Sequence, residues 1–172
     1  MRALFAVLLF ASSVFAQNQT APANPQSAAC GQYDVHFDIQ NDLGQHVAQL
    51  EPGKALVYII QDEDHPNCLK CDTTTRVGLD GSWVGANHGD SYFFFSVEPG
   101  EHHLCANRLP QLGVTTKPIS LIGFTAEAGK SYYFRIHAIY GGVSYSDFAA
   151  VNSDEAQYLI SVSPYSVSHP KK

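Results

Sequence analysis

Apolar positions in this chain come in short runs, and Gly, Pro, Asn and Asp clusters separate them. No long segment repeats its apolar residues with the 3.6-residue period of a helix, so the pattern predicts strands. Tyr33 to Ile39 alternates, with Tyr33, Val35, Phe37 and Ile39 on one face. Further strands are predicted at Val47–Leu50, Ala55–Ile60, "TTTRVGL" (73–79), "WVGA" (83–86), Ser91–Val97, His102–Cys105, Ile119–Ala126, Ser131–Ile139 and "GVSYSDFAAV" (142–151). These segments are enough for an all-β, two-layer sandwich.

The turns organise this reading. Glu51-Pro52-Gly53-Lys54, Glu98-Pro99-Gly100-Glu101 and Glu127-Ala128-Gly129-Lys130 share one chemistry. Pro or Ala suits φ near −60°, and the following Gly suits the positive φ of a type II turn. Each is expected to be a hairpin corner, the first pairing Val47–Leu50 with Ala55–Ile60. Asp80-Gly81 is a tight-turn signal of a different kind. After the last strand the pattern changes. Asn152 or Ser153 can cap a short helix that begins at Asp154-Glu155 and buries Ala156, Leu159 and Ile160. A strand through "AQYLISV" is the alternative. The fold class is therefore an Ig-like or jelly-roll-like antiparallel β-sandwich with a short C-terminal helix.

The ends of the chain set its address. Arg2 followed by the apolar run Ala3–Phe10, with Val14-Phe15-Ala16 before Gln17, reads as a secretory signal cleaved after residue 16. The run is shorter than the ~20 residues a spanning helix needs. Residues 17–29 carry no charge, no aromatic and no periodicity, and read as a disordered linker. The sandwich is assigned to 30–165 and a C-terminal tail to 166–172. A formal charge of −6 with scattered Lys and Arg argues against nucleic-acid binding, which needs a basic patch.

Motifs within the sandwich match a known pattern. "PGKALVYII" (52–60), "VGLDGSWVGANHGDSYFFFSVEPGEHHLC" (77–105), "TAEAGKSYYFRI" (125–136) and "NSDEAQYLI" (152–160) resemble, in order, the bacterial family called domain of unknown function 2846. The run "DG…VG…PGEH" is also similar, more weakly, to PEGA-type modules of bacterial surfaces. The resemblance implies a small exported β-sandwich of the cell envelope. It implies no reaction and no cofactor.

Four cysteines in an exported chain point to two disulfides, with three possible connectivities. If successive strands alternate in direction, Cys105 and Cys30 lie at one end of the domain and Cys68 and Cys71 at the other. That favours Cys30–Cys105 with Cys68–Cys71. "HPNCLKCD" (65–72) carries a C-x-x-C, but Asp72 stands where a c-type haem site needs His. A thioredoxin-like pair would need a helix N-terminus at the first Cys. A zinc site at His65, Cys68 and Cys71 lacks an evident fourth ligand.

His102 and His103 are adjacent on a strand and so point to opposite faces. A metal site would need one of them to meet His88 or His137. The acidic run Asp62-Glu63-Asp64 lacks the spaced ligands and Gly of a calcium loop. Tyr92-Phe93-Phe94-Phe95 places aromatics on both faces of one strand. Phe93 and Phe95 suit the core. Tyr92 and Phe94 must lie beneath the C-terminal helix, against another strand, or exposed with Trp83 as a patch for a ligand or partner. The motifs of serine hydrolases, zinc proteases and P-loop enzymes are absent. The expectation is a non-catalytic exported module that binds a cell-envelope polymer or a protein, or has a structural role there. The alternative is a metal-dependent or redox protein using the His cluster or the Cys68/Cys71 pair.

Overall fold

A computed structural model describes residues 28–32, 34–44, 46–64, 73–109, 119–139 and 145–171. Its strands are β1 (Phe37–Asp42), β2 (Ala55–Asp64), β3 (Thr74–Leu79), β4 (Ser82–His88), β5 (Ser91–Val97), β6 (Gly100–Arg108), β7 (Ile119–Ala126), β8 (Ser131–Ile139), β9 (Tyr145–Ala150) and β10 (Tyr165–Pro170). Helix α1 (Ser153–Val162) lies between β9 and β10. They form a six-stranded sheet in the order β1-β10-β5-β2-β8-β9 and a four-stranded sheet in the order β4-β3-β6-β7. Two neighbour pairs, β2–β8 and β10–β5, are parallel, and the others are antiparallel. This is the expected all-β sandwich with a C-terminal helix.

The three matching turns gather at one end, but none closes a hairpin. Gly53 and Gly129 take φ of 82° and 80°, as a type II turn requires. They deliver the chain into β2 and β8, which run side by side in parallel, and the Gly129 N–H donates to the Lys54 carbonyl at 2.9 Å. The Glu98–Glu101 turn carries the chain from the six-stranded sheet to the four-stranded one, and Glu127–Lys130 carries it back. Val47–Leu50 does not pair with β2, because β5 and β8 already flank β2. It runs as exposed coil. The central place of β2 explains why "ALVYII" is apolar on both faces. Asp80 and Gly81 both have positive φ and close the tight β3–β4 hairpin.

Between the sheets, Val57 and Ile59 of β2 meet Val77, Phe93, Leu104 and Phe134. Full burial of each such side chain contributes about 1.5–3 kcal/mol. Gly85 sits where a Cβ would come within 2.8 Å of the Phe93 ring, so the missing side chain lets that ring seat. A second apolar layer lies on the outside of the six-stranded sheet. There Ile60 and Tyr92 pack under Ala156, Leu159 and Ile160 of α1. Asn152 caps the helix by accepting from the Glu155 N–H at 2.9 Å. Arg135 of β8 donates to the Glu155 carboxylate at 2.9 Å and ties the first turn to the sheet.

The C-terminal tail differs from expectation. Tyr165–Pro170 is a strand inserted between β1 and β5, so a domain boundary at 165 falls inside the sandwich. Its inward Ser166 and Ser168 hydroxyls bond the carbonyl and N–H of Ala86, at 2.7 and 3.0 Å, and seal the edge of β4. The linker also ends earlier than expected, since Ala29 is buried. The signal segment and Tyr33 lie outside the described residues.

Candidate functional site

The N-terminal segment after Ala28 crosses the outer face of the four-stranded sheet as a strap. Cys105, in the middle of β6, faces outward and bonds Cys30 of the strap, with a Cα–Cα distance of 5.2 Å. The expected pairing is present, but Cys105 sits mid-strand rather than at a shared domain end. The strap passes so close to β3 that a Cβ on Gly78 would lie 2.6 Å from the Ala29 carbonyl oxygen. Cys68, Cys71 and His65 lie outside the described residues.

Trp83 is the strap's main contact on β4. Its indole Nε1 donates to the Gln32 carbonyl at 2.6 Å. The guanidinium of buried Arg76 lies 4.5 Å from the ring centroid, a cation–π contact worth about 0.5–2 kcal/mol. Arg76 Nη1 also donates to the Val35 carbonyl, so one arginine holds both the indole and the strap. Beside them opens a cleft of about 350 Å³, lined by Gln32, Val35, Gly81, Ser82, Trp83 and Pro170 together with Gly31. It combines an aromatic ring, a hydroxyl, an amide and a turn backbone. That mixture recognises ligands with one apolar and one hydrogen-bonding side.

Tyr92 and Phe94 do not join Trp83. They belong to β5 of the six-stranded sheet, and their outward face looks away from the four-stranded sheet. Tyr92 is 1 % exposed; its hydroxyl donates to the His46 carbonyl at 3.2 Å and its ring meets Tyr165 edge-on. Phe94 tilts against Tyr58 and Tyr165. Of the placements open to them, Tyr92 and Phe94 take the one beneath α1 and beside β10, so of the three possible patch residues only Trp83 borders the cleft.

The histidines are dispersed. His102 turns inward and His103 outward, as strand alternation requires. His102 Nδ1 meets Asp80 Oδ2 at 2.6 Å and its Nε2 meets the Glu98 carbonyl at 2.7 Å. Burial opposes the charged imidazole, but the Asp80 hydrogen bond, the Glu98 carbonyl and the Asp80 charge together raise its pKa above the usual histidine value. His88 meets Thr74 at 2.9 Å. His137 Nδ1 meets Asp62 at 2.8 Å, and the same carboxylate receives Arg135 Nε at 2.6 Å. Among the described residues no three His, Cys, Asp or Glu side chains converge as a metal site.

The acidic run serves the fold. Asp62 holds Arg135 and His137 on the outer face. Glu63 turns inward and accepts from Gln61 Nε2 and the Thr73 N–H, both at 2.8 Å. Burial pushes its carboxyl up from the ordinary value. Sequence reasoning missed this polar end of the interior. The signal was available, because the inward positions of β2 change from Ala55, Val57 and Ile59 to Gln61 and Glu63.

No helix among the described residues is long and apolar enough to cross a membrane. No curated protein and no solved structure matches the chain. The family model described as "Protein of unknown function (DUF2846)" matches residues 51–147, more than half of the 172 residues. That match opens at the Glu51–Lys54 turn and closes within β9, spanning both sheets while leaving the strap, α1 and β10 outside. The chain therefore belongs to the DUF2846 family.

Proposed function

We propose that this protein is a non-catalytic module exported to the bacterial cell envelope, where it binds an envelope polymer or a protein partner at the cleft beside Trp83. The cleft carries the reading: it sets the indole, the Ser82 hydroxyl and the Gln32 backbone around one open space. Export is supported by the leader-like residues 1–16 and by a buried disulfide in the strap that follows them, a combination typical of oxidising compartments. Asp62, Glu63, Asp80, His88, His102, Arg135 and His137 are engaged in hydrogen bonds and ion pairs that hold strands and turns together.

Trp83 is the only tryptophan, so its fluorescence reports the cleft directly. Titration with soluble peptidoglycan and surface-polysaccharide fragments is expected to give a saturable change with one of them. Ser82→Arg, which crowds the cleft from an exposed position, is expected to abolish it. Absence of any response across the polymer fractions would remove the polymer reading and leave the protein partner. Cell fractionation with thiol alkylation tests export: a reduced, full-length protein in the cytoplasm would refute it.

A further inference from the structure

The four outermost strands are protected very unequally. The edge of β4 is sealed, since Ala86 is bonded by Ser166 and Ser168 and the His88 carbonyl receives Asn41 Nδ2 at 3.0 Å. β1 carries Asp38 and Asp42, and β9 carries exposed Asp147. Charges of this kind discourage edge-to-edge pairing. Among the described residues β7 has none of these devices, although β9 of the other sheet comes within 8 Å of it. Its eight residues, "ISLIGFTA", hold no charge and no proline, and its outer edge has no partner strand among the described residues.

The exposed face of β7 also fits itself. Leu121 is 42 % exposed, an unusual place for a large apolar side chain in mid-strand. Two residues on, Gly123 leaves a gap on the same face. Hollows of about 100 and 240 Å³ lie on either side of it, the first bordered by Leu121 and Ala29 and the second by Glu101 and Thr125. His103, the cross-strand neighbour of Gly123, borders both hollows. A Cβ at Gly123 would have its nearest atom, His103 Nδ1, 3.6 Å away, so the gap accepts added atoms without a clash.

We propose that β7 is a homodimer interface, in which β7 pairs antiparallel with β7 of a second copy about a two-fold axis at Ile122. In that register Leu121 lies opposite Gly123 of the second copy, and Gly123 opposite the second copy's Leu121. Each exposed leucine fills the other copy's gap. Ser120 then faces Phe124, and Ile119 faces Thr125. A two-fold axis sets the same patch against itself, residue i meeting j and j meeting i, so an edge without charge pairs with itself without repulsion. The two four-stranded sheets become one continuous eight-stranded sheet. The pairing of two eight-residue edges is a small interface, and the expected dissociation constant is on the order of micromolar.

Sedimentation equilibrium of the purified protein tests this. The expected result is a monomer–dimer equilibrium, with β7 amides gaining hydrogen-exchange protection as concentration rises. Leu121→Lys is expected to weaken the dimer at least ~10-fold, a change of about 1.4 kcal/mol. Adding Gly123→Glu to that variant sets each introduced ammonium opposite an introduced carboxylate of the second copy and is expected to restore dimerisation. A wild-type protein that stays monomeric at ~100-fold above a micromolar constant overturns the proposal. So does a dimer indifferent to Leu121→Lys, or one the second substitution fails to rescue. The concentration dependence of β7 exchange in the wild type keeps the test intact should the lysine variant fold poorly.

Discussion

The outer faces of the two sheets are covered in different ways. The six-stranded sheet is covered by the chain's own C-terminal elements: α1 sits on Ile60 and Tyr92, and β10 adds Tyr165 beside them. Apolar area supplies most of that cover, since the aromatics of this face and an amphipathic helix bury enough surface to stay docked, and the Arg135–Glu155 ion pair fixes the first turn. The four-stranded sheet is covered by a strap with few apolar residues of its own. Ala29, Cys30 and Cys105 form only a small cluster with Trp83 and Ile119. A segment with so little area to bury is held by a covalent bond, one arginine and the Trp83 indole. The contrast teaches that the disulfide stands where the hydrophobic effect is weakest, and that the open cleft lies beside the thinner cover.

The sharpest way to break the contrast is to remove the area on one side. Tyr92→Ala is expected to cost about 4 kcal/mol in urea denaturation, as large buried aromatics do. Hydrogen exchange in residues 153–162 should accelerate while Trp83 fluorescence stays unchanged. A shift in Trp83 would mean the two covers are coupled. Next in size, Cys30→Ser with Cys105→Ser opens a loop of sequence separation 75 and is expected to cost about 2–4 kcal/mol. Here Trp83 should redden and the helix should remain. The smallest of the three, Gly78→Ala, pushes a methyl against the Ala29 carbonyl and is expected to cost about 1–3 kcal/mol. In the serine double variant the strap is free to move, so the same change should cost almost nothing.

Much of this architecture was legible because it is local. The bounds of β7 and β8 follow from where apolar runs meet the Glu127–Lys130 turn, and α1 from a capping Asn with acids behind it. What escaped is the choice of sheet. β4 and β5 are joined by only Gly89 and Asp90, yet the chain changes sheets there and sends Trp83 and Tyr92 to opposite outer faces. Alternation tells which side of a strand a residue takes, never which sheet the strand enters. β10 escaped although Tyr165 and Val167 alternate with Ser166 and Ser168; the run is short, and its inward serines serve the backbone of β4 rather than an apolar core. The Cys30–Cys105 pairing was reached through strand directions, whereas the strap simply lies across the middle of β6.

The placement of His102 gives the turn end a sensitivity to acidity. A neutral imidazole has one N–H and can satisfy either Asp80 or the Glu98 carbonyl; only the cation satisfies both. Its pKa is raised on folding, so its contribution to stability is complete below the ordinary value of 6.5 and fades as pH rises through the higher folded value. The gap in urea midpoint between the wild type and His102→Gln should therefore be widest in mild acid and shrink in mild alkali. In mildly acid surroundings the two turns that His102 joins would tighten together, with Gly81 at the rim of the cleft among them.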